Sequence, residues 1–104
     1  MADSSPEREE HLRREYLSQT ARIPWRDLQL HYARGVVVYV APDKDLVEVA
    51  VQLGMDNTAS FQSWIDSGEV SAVTEEQALG WYESDKDLWA VVAAPWVLVQ
   101  DRAG

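Results

Sequence analysis

The chain of 104 residues has no cysteine, which excludes disulfides, thiolate nucleophiles and sulfur-ligated zinc. That absence fits either redox compartment, so it limits mechanism more than location. Glycine is scarce and always isolated, so neither a G-x-G-x-x-G turn nor a Walker loop is present to cradle phosphate, and nucleotide enzymes become improbable. Positive charge is also short. Nine basic residues face eighteen acidic ones, a formal charge of −9 that repels a phosphate backbone and argues against nucleic acid as a partner. No apolar run approaches the eighteen or so residues a membrane helix needs. The start, MADSSPEREEHLRR, lacks the apolar core of a signal peptide, which predicts a cytoplasmic protein with no membrane role.

What the chain does have is a 46% apolar share in a length suited to one domain with a real core. Residues 1–5 are small and polar, and are expected to be disordered ahead of a single domain over residues 6–104. Ser5-Pro6-Glu7 reads as a helix start, with Ser5 as cap and proline at the first helical position. Leu12, Tyr16 and Leu17 give that helix a narrow apolar stripe. Its Arg8, Arg13 and Arg14 are interleaved with Glu7, Glu9, Glu10 and Glu15, the pattern of a solvated face with ion pairs.

A second short helix, PWRDLQLHYAR, carries Trp25, Leu28 and Tyr32 on one side. Val36 to Ala41 then forms a continuous apolar run bounded by Gly35 and Pro42, the mark of a strand covered on both faces. Leu46 to Leu53 fits a strand at period two and a helix at period 3.6. Asp45 at the capping position, Glu48 three residues later as in a capping box, and Gly54 as a stop favour the helix. Helices follow in DNTASFQSWIDSG, with Phe61, Trp64 and Ile65 on one face, and in VTEEQALGWYESD, where Ala78, Leu79 and Tyr82 are expected inward. LWAVVAAPWVLVQD reads as strand, with Pro95 imposing a bulge, an edge position or a sheet-switching bend. The fold class expected is α+β: a compact domain of about four helices on a sheet of two or three strands. So thin a sheet leaves an apolar edge, which invites pairing with a second copy and predicts a homodimer.

The succession VVVYVAPDKDLVEVA, DNTASFQSWIDSGEV, VTEEQALGWY and LWAVVAAPWVLVQ, from about Ile23 to Gln100, resembles the bacterial domain of unknown function 2288. The resemblance implies a cytoplasmic bacterial protein and favours the helical reading of Leu46 to Leu53. It brings no catalytic residue, cofactor or substrate.

Candidate chemistry is sparse. Asp43, Asp45 and Glu48 cluster just beyond the first long strand, where α/β proteins often place ligands, and their carboxylates suit a hard cation such as Mg²⁺ or Ca²⁺. The competing reading makes Asp45 a helix cap, Glu48 its box partner and Asp43 part of a proline-initiated turn. His11 and His31 lack a second histidine at helical spacing, so a zinc site would need both to converge with carboxylates. No serine stands in an activating motif, and no catalytic residue or cofactor is expected. The strongest anomaly is the five tryptophans. Trp25, Trp64 and Trp89 suit a small core. Trp81, off the centre of its helix's apolar face, and Trp96, just past Pro95, are candidate interface residues. The expectation is a protein-binding or regulatory module acting as a homodimer, and the alternative is a small metal-dependent enzyme or ligand binder using Asp43, Asp45 and Glu48.

Overall fold

Elements form where capping and burial agree. The computed structural model describes residues 5–102, so the expected disorder of residues 1–4 lies outside the described residues, while Ser5 opens α1. In chain order the elements are α1 (Ser5–Gln19), β1 (Ala21–Pro24), α2 (Trp25–Ala33), β2 (Val37–Val40), α3 (Leu46–Gly54), α4 (Thr58–Ser67), β3 (Val70–Ala72), α5 (Glu75–Glu83), β4 (Asp87–Ala93) and β5 (Trp96–Gln100). The strands make one sheet in the order β1-β4-β5-β2-β3, antiparallel throughout except for the parallel pair β5 and β2.

Alternation along the strands sends side chains to two cores. Val37, Leu88, Val97 and Val99 meet Trp25, Leu28 and Trp81 of α2 and α5 on one face. Val38, Val40, Val91 and Leu98 meet Leu46, Val49 and Ala50 of α3 on the other, with Tyr16 of α1 and Phe61 and Trp64 of α4 packed around them. Cover on both faces is why β2 and β5 read as unbroken apolar runs.

The α+β class stands, and among the described residues the element count is corrected to five helices and five strands. β1 has four residues, half of them exposed, and β3 has three, so neither is long enough to show periodicity in sequence. These two short strands are the sheet's edges, while the apolar strands lie inside it. The unprotected apolar edge that suggested a homodimer is therefore missing. Pro95 belongs to neither a bulge nor a bend within a strand. With Ala94 it forms the turn of an antiparallel hairpin, flanked by the pair Ala93 and Trp96.

Leu46 to Leu53 is helical, and its double periodicity has a physical cause: α3 is enclosed by the sheet and neighbouring helices, so Val47 and Val51 are buried along with Leu46, Val49 and Ala50. Only Glu48 and Gln52 are left to form the polar stripe. In α5 the phase differs from expectation. Its cap is the expected box of Thr74 and Gln77, yet Leu79 and Tyr82 are exposed and the inward residues are Ala78 and Trp81. The largest side chain sets the helix's rotation, because an indole buries more area than leucine and tyrosine keeps a wet hydroxyl.

Candidate functional site

The three acids of the strand-end segment do not form a group. Asp45 caps α3, its Oδ1 accepting from the backbone N–H of Val47 at 3.0 Å and of Glu48 at 3.2 Å. Glu48 does not close the capping box. Its carboxylate turns toward α1, where it accepts from the Arg13 guanidinium, and also accepts from Gln52 Nε2 at 2.7 Å. Asp43 stays exposed in a turn closed by Lys44 N–H donating to Ala41 O at 3.0 Å. His11 stands on α1, 3.8 Å from Glu15, and His31 stands on α2 across the sheet. Among the described residues no three His, Asp or Glu side chains are placed to hold a metal ion.

The interior beneath this loop is taken by Gln100, fully buried at the end of β5. Its Nε2 donates to Ala41 O at 2.7 Å and to Lys44 O at 2.5 Å, and its Oε1 accepts from Arg102 Nε. The amide therefore ties down the segment that looked open to a ligand.

A sizeable concavity lies elsewhere. A cleft of about 440 Å³ opens between α4 and the β4–β5 turn, walled by Leu53, Phe61, Ile65, Pro95 and Trp96, with Asp56, Asn57, Thr58 and Gln62 among its polar lining. A second hollow of about 220 Å³ shares Phe61, Ile65 and Trp96 and reaches Val38, Val70 and Ala72 at the β3 edge. Among the described residues, no lysine or arginine lines either one. The cleft follows from the local sequence. Strand alternation places Trp96 on the same face as Leu98, at the mouth of the hairpin. Across from it, α4 has an apolar stripe wider than its footprint. Trp64 is covered by Lys44, whose Nζ sits 4.3 Å from the ring centre and 3.8 Å from Glu69. Ile65 remains 43% exposed.

Of the two candidate interface tryptophans, Trp96 lines this cleft half-buried and Trp81 is buried in the core on the other face of the sheet. Trp81 is 7% exposed, packs edge-on against Trp25 at 5.1 Å, and donates from Nε1 to Asp101 Oδ2 at 3.2 Å. Its burial follows from the phase of α5. Near it, burial and then the Asp101 charge push the Tyr39 hydroxyl above its usual pKa. Sequence reasoning missed Leu53 and Pro95 as cleft residues and put Ile65 on a buried face, because a groove is made by elements that meet only in the fold.

A chain of polar side chains reaches the cleft at Asn57. Arg13 of α1 donates to Glu9 and Glu48, Gln52 joins Glu48, Asn57 Nδ2 donates to Gln52 Oε1 at 2.9 Å, and Asn57 Oδ1 accepts from Ser60 N–H at 3.1 Å as the cap of α4. The bond from Arg13 holds the Glu48 carboxyl below the usual carboxylate range, against an opposing effect of burial.

The chain belongs to the family described as protein of unknown function DUF2288, whose model matches residues 11–101. It is similar to PA1075 from Pseudomonas aeruginosa, solved by NMR in solution, at 42% identity over 90% of this chain and 87% of that one, with a TM-score of 0.79. No curated protein matches the chain. Among the described residues, no helix is long and apolar enough to cross a membrane.

Proposed function

We propose that this member of the family is a non-catalytic binding module that takes an apolar segment of a partner protein into the cleft beside α4. The observation that carries this reading is the neighbouring pair of apolar hollows that share Phe61, Ile65 and Trp96, with Ile65 and Trp96 still accessible in the folded chain. Half-exposed aromatic and aliphatic side chains in a concave site are the usual anchors of protein recognition. A charge of −9, with Asp56 in the cleft lining and Asp66 beside it on Gln62, suits a segment that carries lysine or arginine next to its apolar residues. The same charge disfavours a second copy in this position.

The test is a photo-crosslinking residue in place of Gln62, on the cleft wall. Support requires one crosslinked partner whose purified form binds the native chain, with Trp96→Ala weakening that binding about thirtyfold, as expected for a central tryptophan. Crosslinks confined to a second copy of the chain would move the site to a homodimer. If binding survives Trp96→Ala and Ile65→Asp unchanged, the cleft is not the site.

A further inference from the structure

We propose that α1 controls the cleft through the series Arg13, Glu48, Gln52 and Asn57, so that docking of this helix sets how firmly the first turn of α4 is held. The proposal rests on the reading of the cleft as a binding site and adds the means by which it is regulated. Asn57 has two positions at once: it lines the cleft and it caps the helix that walls it. Its amide is oriented by Gln52, and Gln52 by the carboxylate that Arg13 holds from the other helix. Each side chain is thus placed by the one before it.

A second contact runs the same way. Arg8 donates to Gly54 O at 2.8 Å, and a Cβ at Gly54 would come 3.0 Å from the Tyr16 hydroxyl and 3.1 Å from Leu12, so α1 lies directly on the last turn of α3. The residue before that glycine, Leu53, is part of the cleft wall. Meanwhile α1 is held shallowly. From Pro6 onward none of its residues is fully buried, and Glu9, Leu12, Arg13 and Tyr16 alone are half-buried. Elements with so little buried apolar surface open before the rest of a domain does. The helix that anchors the series is therefore among the easiest parts of the described chain to release.

A double-mutant cycle on the full chain tests this, using Arg13→Met on α1 and Gln52→Leu in the middle of the series, neither of which lines the cleft. Amide exchange at Ser60 reads the cap, and Nile red, assigned to the cleft by its loss in Trp96→Ala, reads the site. Arg13→Met should speed exchange at Ser60 and weaken Nile red binding by about threefold each, and should do neither once Gln52 is leucine. If Arg13→Met fails to fold, Arg13→Lys replaces it, keeping the charge but losing the fork. No change at Ser60, or an equal change in both backgrounds, overturns the series. Faster exchange with unaltered Nile red affinity overturns its control of the cleft. A native chain that binds no Nile red at Trp96 counts against the binding site itself, and the exchange cycle then still decides whether α1 and α4 are coupled.

Discussion

Replacing Gln100 by leucine should be among the more damaging single changes that leave the chain's apolar volume nearly intact. The side chain is fully buried and makes three hydrogen bonds, two donated to the Ala41 and Lys44 carbonyls and one accepted from Arg102. Leucine cannot replace any of them. The Ala41 carbonyl keeps a donor, because Lys44 N–H also bonds to it, whereas the Lys44 carbonyl loses the Gln100 amide. Orphaning the part-buried Lys44 carbonyl costs about 1–3 kcal/mol, and the remaining lost bonds add roughly 1 kcal/mol, partly offset by the less costly burial of an apolar side chain. The expected loss is about 2–3 kcal/mol, which in a domain of this size lowers Tm by roughly 10–20 °C. Urea and thermal unfolding followed by circular dichroism give the number. The control is Arg102→Leu, which removes the bond on the exposed side together with the guanidinium's contact over Trp89, 5.1 Å from its ring centre, and should cost about 1 kcal/mol. A Gln100→Leu protein within about 0.5 kcal/mol of wild type would refute the reasoning, since it would mean that water or loop movement replaces the amide at no cost.

Three further expectations follow from the same geometry. Trp81→Ala should cost about 3–5 kcal/mol and Trp96→Ala no more than about 2, so equal losses in denaturant titrations would contradict the placement of one in the core and the other in the cleft. Asp45→Ala should lower stability by about 1 kcal/mol through loss of the α3 cap, while Asp43→Asn changes it by less than about 0.5; a reversal of that order in the same titrations would count against the division of labour. The pairing of Glu48 with Arg13 lowers its carboxyl pKa in the folded chain from a reference of 4.5, so its contribution is fully present above that reference and is lost as pH falls through the lowered value. The stability gap between wild type and Glu48→Gln should accordingly be under about 1 kcal/mol near neutrality, given the pair's partial exposure, and should close on acidification; a gap that widens toward pH 3 would oppose the pairing.

Much of the architecture was legible where local chemistry and burial point the same way. The caps at Asp45 and Thr74 and the left-handed stop at Gly68 are written in short sequence patterns, and the structure uses them. β2 could be read from its valines because both of its faces are covered. β1 and β3 could not, since three or four residues paired on a single side carry no periodic signal. The same difference governs the site. Asp43, Asp45 and Glu48 look like a cluster because they are close in sequence, yet a cap, an ion pair and solvent draw them apart. Trp96 was marked by its position after Pro95, while its neighbours Leu53, Phe61 and Ile65 come from a different part of the chain and join it only when α4 packs against the hairpin.

The division of the indoles between the two layers has a spectroscopic consequence. Trp25 and Trp81 lie 5.1 Å apart with ring planes at 65°, close enough for their electronic transitions to couple and give a paired circular-dichroism band that reports the α2 and α5 layer. Across the sheet, Trp64 sits under an ammonium group and Trp96 borders an open hollow, so their emission responds to different surroundings. The molecule carries its own optical probes on both sides of one sheet, and a single Trp96→Phe change would separate the signal of the cleft from that of the core.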